Sequence, residues 1–207
     1  MSKRENSHRS RGVTLGLDYE VEVRDKDGKL ISKLGRRPDP FTRAWIRALR
    51  TAALGGVSTV SLTDTAGSAR TFTFSETGAE YFDITGGATE DTHGIVVGNS
   101  DVAFDKAQSK LEGKIANGSG GGQLVYGAQT TEDYADEDST TRFRMIRGFT
   151  NNSGAPVTVK EIGIVLRNNK AGAIWYLLVA RDVLASPQTV PDGATLTVRY
   201  RVYISYA

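Results

Sequence analysis

Residues 195–206 read TLTVRYRVYISY. Leu196, Val198, Tyr200, Val202, Ile204 and Tyr206 hold the even positions, and Thr195, Thr197, Arg199 and Arg201 fill odd ones. That is the period-two pattern of a strand with one wet face. Moving toward the N-terminus, the same grain continues in three further runs: Ile174, Tyr176, Leu178 and Val179; Val157, Val159, Ile162, Ile164 and Leu166; and Phe143, Met145, Ile146 and Phe149. Ser153-Gly154-Ala155-Pro156 and Pro191-Asp192-Gly193 punctuate them as turns. Thr141 to Ala207 is therefore expected to be four consecutive strands, the build of a structural or binding module more often than of an enzyme.

Further toward the N-terminus, Leu17, Tyr19, Val21 and Val23 alternate with Asp18, Glu20, Glu22 and Arg24, and Asp25-Lys26-Asp27-Gly28 leads into Lys29 to Leu34. This predicts a hairpin with a charged outer face. One amphipathic helix is expected from Asp39 as cap and Pro40 at the first helical position to about Leu54, before Gly55-Gly56. Phe41, Trp45, Ile46, Ala48, Leu49, Ala52 and Ala53 would give it an apolar face, with Arg43, Arg47 and Arg50 on one side. Strands are expected again over Val57 to Thr63, Ala69 to Ser75, Ile95 to Val97 and Gln123 to Thr130, with residues 76–93 as a long loop and 102–115 as a turn-rich connection. The Gly- and Ser-rich stretch from Asn117 to Gly122 reads as a mobile tip or a close backbone approach. The resulting fold is mainly β, an antiparallel β-sandwich with one N-terminal helix and a basic N-terminal arm. Its expected divisions are an arm over 1–16, a hairpin-plus-helix extension over 17–56, and the sandwich over 57–207.

The chain of 207 residues is long enough for one ample core, and with no cysteine it must rely on hydrophobic burial rather than disulfides. No apolar run approaches the roughly 18 residues of a membrane span, and no apolar stretch follows the basic N-terminus, so neither insertion nor a cleaved signal is indicated. Charge is polarised. Residues 1–50 carry 13 Lys and Arg against 7 Asp and Glu, whereas the remainder carries 13 against 17. A basic arm with Lys3, Arg4, Arg9 and Arg11 suits a nucleic acid or an acidic neighbour, and equally a solvated tail. The stripe Arg43, Arg47 and Arg50 is either a solvated helical face or a contact with phosphate or with a neighbouring subunit's carboxylates. Glu132, Asp133, Asp136, Glu137 and Asp138 form an acidic loop, solvated or holding a hard cation, although an EF-hand's glycine and terminal glutamate are missing.

Catalytic signals are sparse. His8 lies in the arm, and His93 reads as a structural histidine at a strand end. No G-x-S-x-G elbow, P-loop, H-E-x-x-H or dinucleotide fingerprint occurs. No cofactor is implied. Trp175, Tyr176, Tyr203 and Tyr206 would serve either as packing or as a sugar-binding platform. The glycosylation-type triplets at Asn117 and Asn151 sit in turn-like sequence where Asn is expected anyway.

Taken together and in order, "YEVEVRDKDGKLISK", "VSLTDTAGSARTF", "HGIVVGNSD", "GQLVYGAQT", "FRMIRGFTNNSGAPVTVKEIGIVL" and "YLLVARDVLASPQTVPDGATLTVRYRVYIS" make the chain resemble structural proteins of tailed viruses and related metagenomic viral genomes. The resemblance spans roughly residues 17–206 and rests on strands and turns, so no catalytic residue is carried over. It implies a jelly-roll type β-sandwich virion component, made in the host cytoplasm, whose partners are its own copies, other virion proteins and, through the basic arm, packaged nucleic acid, with no membrane. A carbohydrate- or receptor-binding module on a fibre or spike is the alternative, and an enzyme the least favoured reading.

Overall fold

The C-terminal alternation becomes the middle of a sheet. A computed structural model of the protein describes residues 13–36, 41–53, 60–72, 81–137, 139–170 and 172–206. Along them run β1 (Val13–Arg24), β2 (Leu30–Arg36), α1 (Arg43–Ala53), β3 (Val60–Thr63), β4 (Ala69–Phe72), β5 (Tyr81–Asp83), β6 (Gly94–Gly98), β7 (Val125–Tyr126), β8 (Thr130–Glu137), β9 (Thr140–Thr150), β10 (Val157–Lys170), β11 (Ala173–Val190) and β12 (Thr195–Tyr206). The protein is mainly β and its sheets are antiparallel. The larger sheet has the order β2-β1-β12-β9, with β7 and β8 sharing the far side of β9. The smaller sheet has the order β11-β10, with β5 and β6 sharing the far side of β10, and β3-β4 is a separate hairpin.

Register follows from which face each side chain must bury. Leu17 lies opposite Val202, Tyr19 opposite Tyr200, Val21 opposite Val198 and Val23 opposite Leu196, while Asp18 faces Arg201 and Glu20 faces Arg199. A slip by one residue would turn the apolar set to water and the charges inward, so this pairing is strongly specified. The Asp25–Gly28 turn is held by the Asp25 carboxylate, which accepts from the amides of Asp27 and Lys29, and Gly28 supplies the left-handed backbone at φ 81°. One apolar cluster joins the two sheets: Leu17, Val21, Phe149 and Val198 from the larger, Ile95, Val97, Ile162 and Leu177 from the smaller. Each such buried aliphatic or aromatic side chain contributes about 1.5–3 kcal/mol. This is the arrangement of a β-sandwich.

Three expectations need correction. The hairpin placed in an extension over 17–56 is part of the larger sheet, because all twelve residues of β1 pair with β12. The helix begins at Arg43 rather than at Pro40, and the expected cap Asp39 and Pro40 lie outside the described residues. Phe41 bridges Ala180 of β11, and Thr42 donates both its amide to Val179 O (3.0 Å) and its hydroxyl to Leu178 O (2.7 Å). Those bonds hold two residues extended against the free edge of β11, and the helix can start only after them. The edge is thereby covered, and Pro187, further along the same edge strand, needs no partner for an amide it lacks. The loop expected over 76–93 includes the short strand β5.

Candidate functional site

Helix α1 lies against β11 and β3. Ala48 and Thr51 are buried, Trp45 stacks on Phe41 (ring centroids 5.2 Å apart), and Arg43, Arg47 and Arg50 are exposed. Ile46 and Leu49 of the expected apolar face are also exposed, Ile46 by 63%. The helix therefore buries a narrow stripe and presents three arginines and an isoleucine to solvent from a rigid mount. Lys3, Arg4, Arg9 and Arg11 lie outside the described residues.

The acidic segment is a strand, not a loop. β8 runs Thr130–Glu137 and pairs with β9, with a bulge between Glu132 and Ala135. Glu132 takes a hydrogen bond from Arg144 (2.8 Å), and Asp136 takes one from the Thr141 hydroxyl (2.6 Å). Cross-strand partners hold these two carboxylates, and the described residues include no group of three or more acids, histidines or cysteines placed to hold a metal ion. The backbone of Asp133 follows the strand, while Asp138 lies outside the described residues.

The outer face of the larger sheet is an ordered lattice of charge. Arg201 engages Asp18, Arg199 engages Glu20 (3.1 Å) and Glu22 (3.0 Å), and Lys33 reaches Glu20 (2.7 Å) and Glu22 (3.0 Å). Arg201 stands opposite Arg144 in register, and each is neutralised from its outer side, by Asp18 and by Glu132. The hydrogen bond from Lys33, with help from Arg199, holds the Glu22 carboxyl below its ordinary range despite partial burial. Asp18, Glu20, Glu132, Arg144, Arg199 and Arg201 line an open concavity of about 570 Å³ on this face.

Beneath the surface, charge fastens loops to sheets. Arg147 is fully buried. All five of its N–H groups point at carbonyls: Gly127 (2.9 Å), His93 (3.1 Å), Ile95 (2.8 Å), Gly87 (2.6 Å) and Glu90 (2.5 Å). Its guanidinium also stands over the Tyr126 ring at 4.9 Å, and burial pushes its pKa down. Gly86 is tight against this hub: a Cβ there would come within 2.4 Å of the Arg147 guanidinium and 2.7 Å of His93 O. On the smaller sheet Arg181 and Glu161 form a pair at 2.6 Å with both side chains wholly buried. Arg181 continues to Gln108 and Val102 O, and Glu161 accepts the Gly113 amide, so the pair clasps the 102–113 connection to the sheet. Between the sheets Tyr200 donates to Asp182 (3.0 Å), and burial raises the phenol's pKa well above its ordinary value.

Sequence reasoning did not single out these groups. The available signal was parity: Arg147 shares its side of β9 with buried Met145 and Phe149, and only a guanidinium satisfied on every donor can stand there. His93 is buried directly before β6, stacked on Tyr176 and 3.5 Å from Asp83, with its pKa lowered by burial. The four aromatics do not form one platform. Trp175 packs edge-on to Phe72 under Arg70 and Tyr176 lies on His93, both in the smaller sheet, whereas Tyr203 and Tyr206 belong to β12 of the larger. The Asn151 amide is fully buried and donates to Ala155 O and Val190 O, which closes it to a glycan. No family model, curated protein or solved structure matches the chain.

Proposed function

We propose that the protein is a virion structural component: a jelly-roll type sandwich that assembles in repeated copies as a capsid, head-decoration, collar or tail element. The observation that carries this reading is the mount of α1. Two hydrogen bonds from Thr42, beside the Phe41–Ala180 bridge, tie the start of the helix to β11, and Arg43, Arg47, Arg50 and Ile46 then face outward from a backbone that is already ordered, so a partner has only side chains left to order. Arginine forks suit carboxylates or phosphates, so the matching surface is a neighbouring subunit or packaged nucleic acid. The buried clamps at Arg147 and Arg181 support the same reading, since they make the sandwich a rigid block, and repetition multiplies individually weak contacts between blocks. In this reading the basic arm from Lys3 to Arg11 adds sequence-independent affinity for nucleic acid.

The triple variant Arg43→Glu, Arg47→Glu, Arg50→Glu tests it. The isolated protein should keep its cooperative unfolding transition, because all three side chains are exposed, while its incorporation into particles is lost. Unchanged particles would show that the helix is not the contact.

A further inference from the structure

The two edges of the larger sheet carry opposite charge. At one edge β2 reads LISKLGR, with two basic residues, no acidic one, and Lys29 just before it. At the other β8 reads TTEDYADE, with four acidic residues and no basic one. Each strand pairs on one side only among the described residues, β2 with β1 and β8 with β9. They are of similar length, 7 and 8 residues. Leu30 and Ile31 on the basic edge are 44% and 48% exposed, an apolar pair on a strand whose outer edge has no partner among the described residues. An open edge of this kind is a template for another strand.

We infer that the larger sheet propagates head to tail, β2 of one copy adding to β8 of the next. This rests on the self-assembly reading above and says which surfaces join. Two observations select this pairing over the alternatives. Across the outer face the strands carry, in order, Lys33 on β2, Asp18, Glu20 and Glu22 on β1, Arg199 and Arg201 on β12, Arg144 on β9 and Glu132 on β8, so the face begins basic at one edge and ends acidic at the other. Setting the next β2 beside β8 joins those opposite signs and brings a second carboxylate column to Lys33. Joining β2 to β2 or β8 to β8 opposes like charges and is disfavoured. Every pairing from β8 through β9, β12 and β1 to β2 is antiparallel, so β8 and β2 run the same way, and the contact that follows is a parallel pair. Such a contact is heterologous, and it closes into a ring or continues as a filament according to the rotation between copies. The bulge in β8 twists that edge and limits the pairing to a few residues.

The chain lacks cysteine, which permits a clean test. Ile31→Cys and Thr131→Cys are both at exposed positions on the two edges. Treated with a short thiol cross-linker, the protein carrying both should yield a ladder of multimers, while either single variant stays uncross-linked, because a head-to-tail contact brings position 31 to position 131 and never to itself. Dimers from a single variant would establish a two-fold contact and overturn the proposal. So would an absence of cross-linking in the double variant when the unmodified protein sediments as an oligomer, an outcome that leaves self-assembly standing through other surfaces. A protein that remains monomeric at all concentrations would remove the self-assembly reading along with it. As a second measurement, Glu132→Lys with Asp136→Lys should weaken self-association at least tenfold at low salt, a difference of about 1.4 kcal/mol, and an unaltered association constant would count against the edge contact.

Discussion

The two sheets use the same chemical pair in opposite ways. On the smaller sheet Arg181 and Glu161 meet with no solvent exposure at all, and each is further bonded to the 102–113 connection. On the larger sheet Arg199 and Arg201 meet Glu20 and Asp18 on an open face, with side chains 14–35% exposed. A buried pair must recover a large desolvation cost, so its value lies less in net stability than in the penalty for any structure that leaves one partner alone. An exposed pair has little to recover and little to give. The first therefore fixes where a long connection lies. The second sets the charge pattern that a neighbour meets.

The sharpest way to break this contrast is at Glu161. Replacing it by Ala strands the Arg181 guanidinium inside the protein and should cost about 3–5 kcal/mol, enough to threaten folding of a domain this size. A urea midpoint measured by circular dichroism reads the loss. Replacing both partners, as Glu161→Leu with Arg181→Met, should restore part of it, because no lone charge remains, although the Gly113 amide and the Val102 carbonyl lose their partners. If the single and the double variant are equally unstable, the pair is holding the connection by something other than charge.

How far all this could be read from the letters depends on whether a residue answers to its neighbours in sequence or in space. β12 was legible because each of its side chains obeys a local alternation, and the β1–β2 hairpin was legible for the same reason, with Asp25 and Gly28 marking the turn. What could not be read was that β1 pairs with β12, since the two lie at opposite ends of the chain. The segment Glu132–Glu137 was misread as a loop because Asp and Glu are poor strand formers in general. Arg144 and Thr141 on the adjacent strand reverse that preference. Arg147 went unrecognised because its five acceptors are backbone carbonyls, and a carbonyl leaves no trace in sequence. Among the expected contact residues, the exposed arginine stripe emerged as a surface of α1, whereas the aromatic platform dissolved into packing on two different sheets.

A gentler probe separates the two classes by their response to acid. His93 sits in the segment that Arg147 clamps, and burial holds its pKa below 6.5 although Asp83 and Glu90 pull the other way. The unfolded chain then binds the proton more readily, so stability should fall as pH drops through about 6.5, and it levels off once pH is below the folded value. His93→Gln should flatten that limb of the urea-midpoint profile. Carboxylates with lowered pKa, Glu22 and Glu90 among them, contribute stability that is present above about 4.5 and lost below it. The acid limb should therefore survive in the variant. A profile that keeps its slope near neutrality after the substitution would place the titrating group elsewhere.

The smallest expected effect belongs to the open lattice and completes the contrast. Arg201→Ala removes the pairing with Asp18, worth under about 1 kcal/mol for an exposed pair. It also relieves the opposition between Arg201 and Arg144, which stand directly across from each other on β12 and β9. The two changes have opposite sign, so the urea midpoint should move by no more than a few tenths of a molar unit, and salt at about 0.5 M should shrink the shift further, since screening weakens both interactions. If the loss instead matched that of Glu161→Ala and persisted in salt, the charged face would have to be counted as part of the fold rather than as its surface, and the division of labour between the two sheets would not hold.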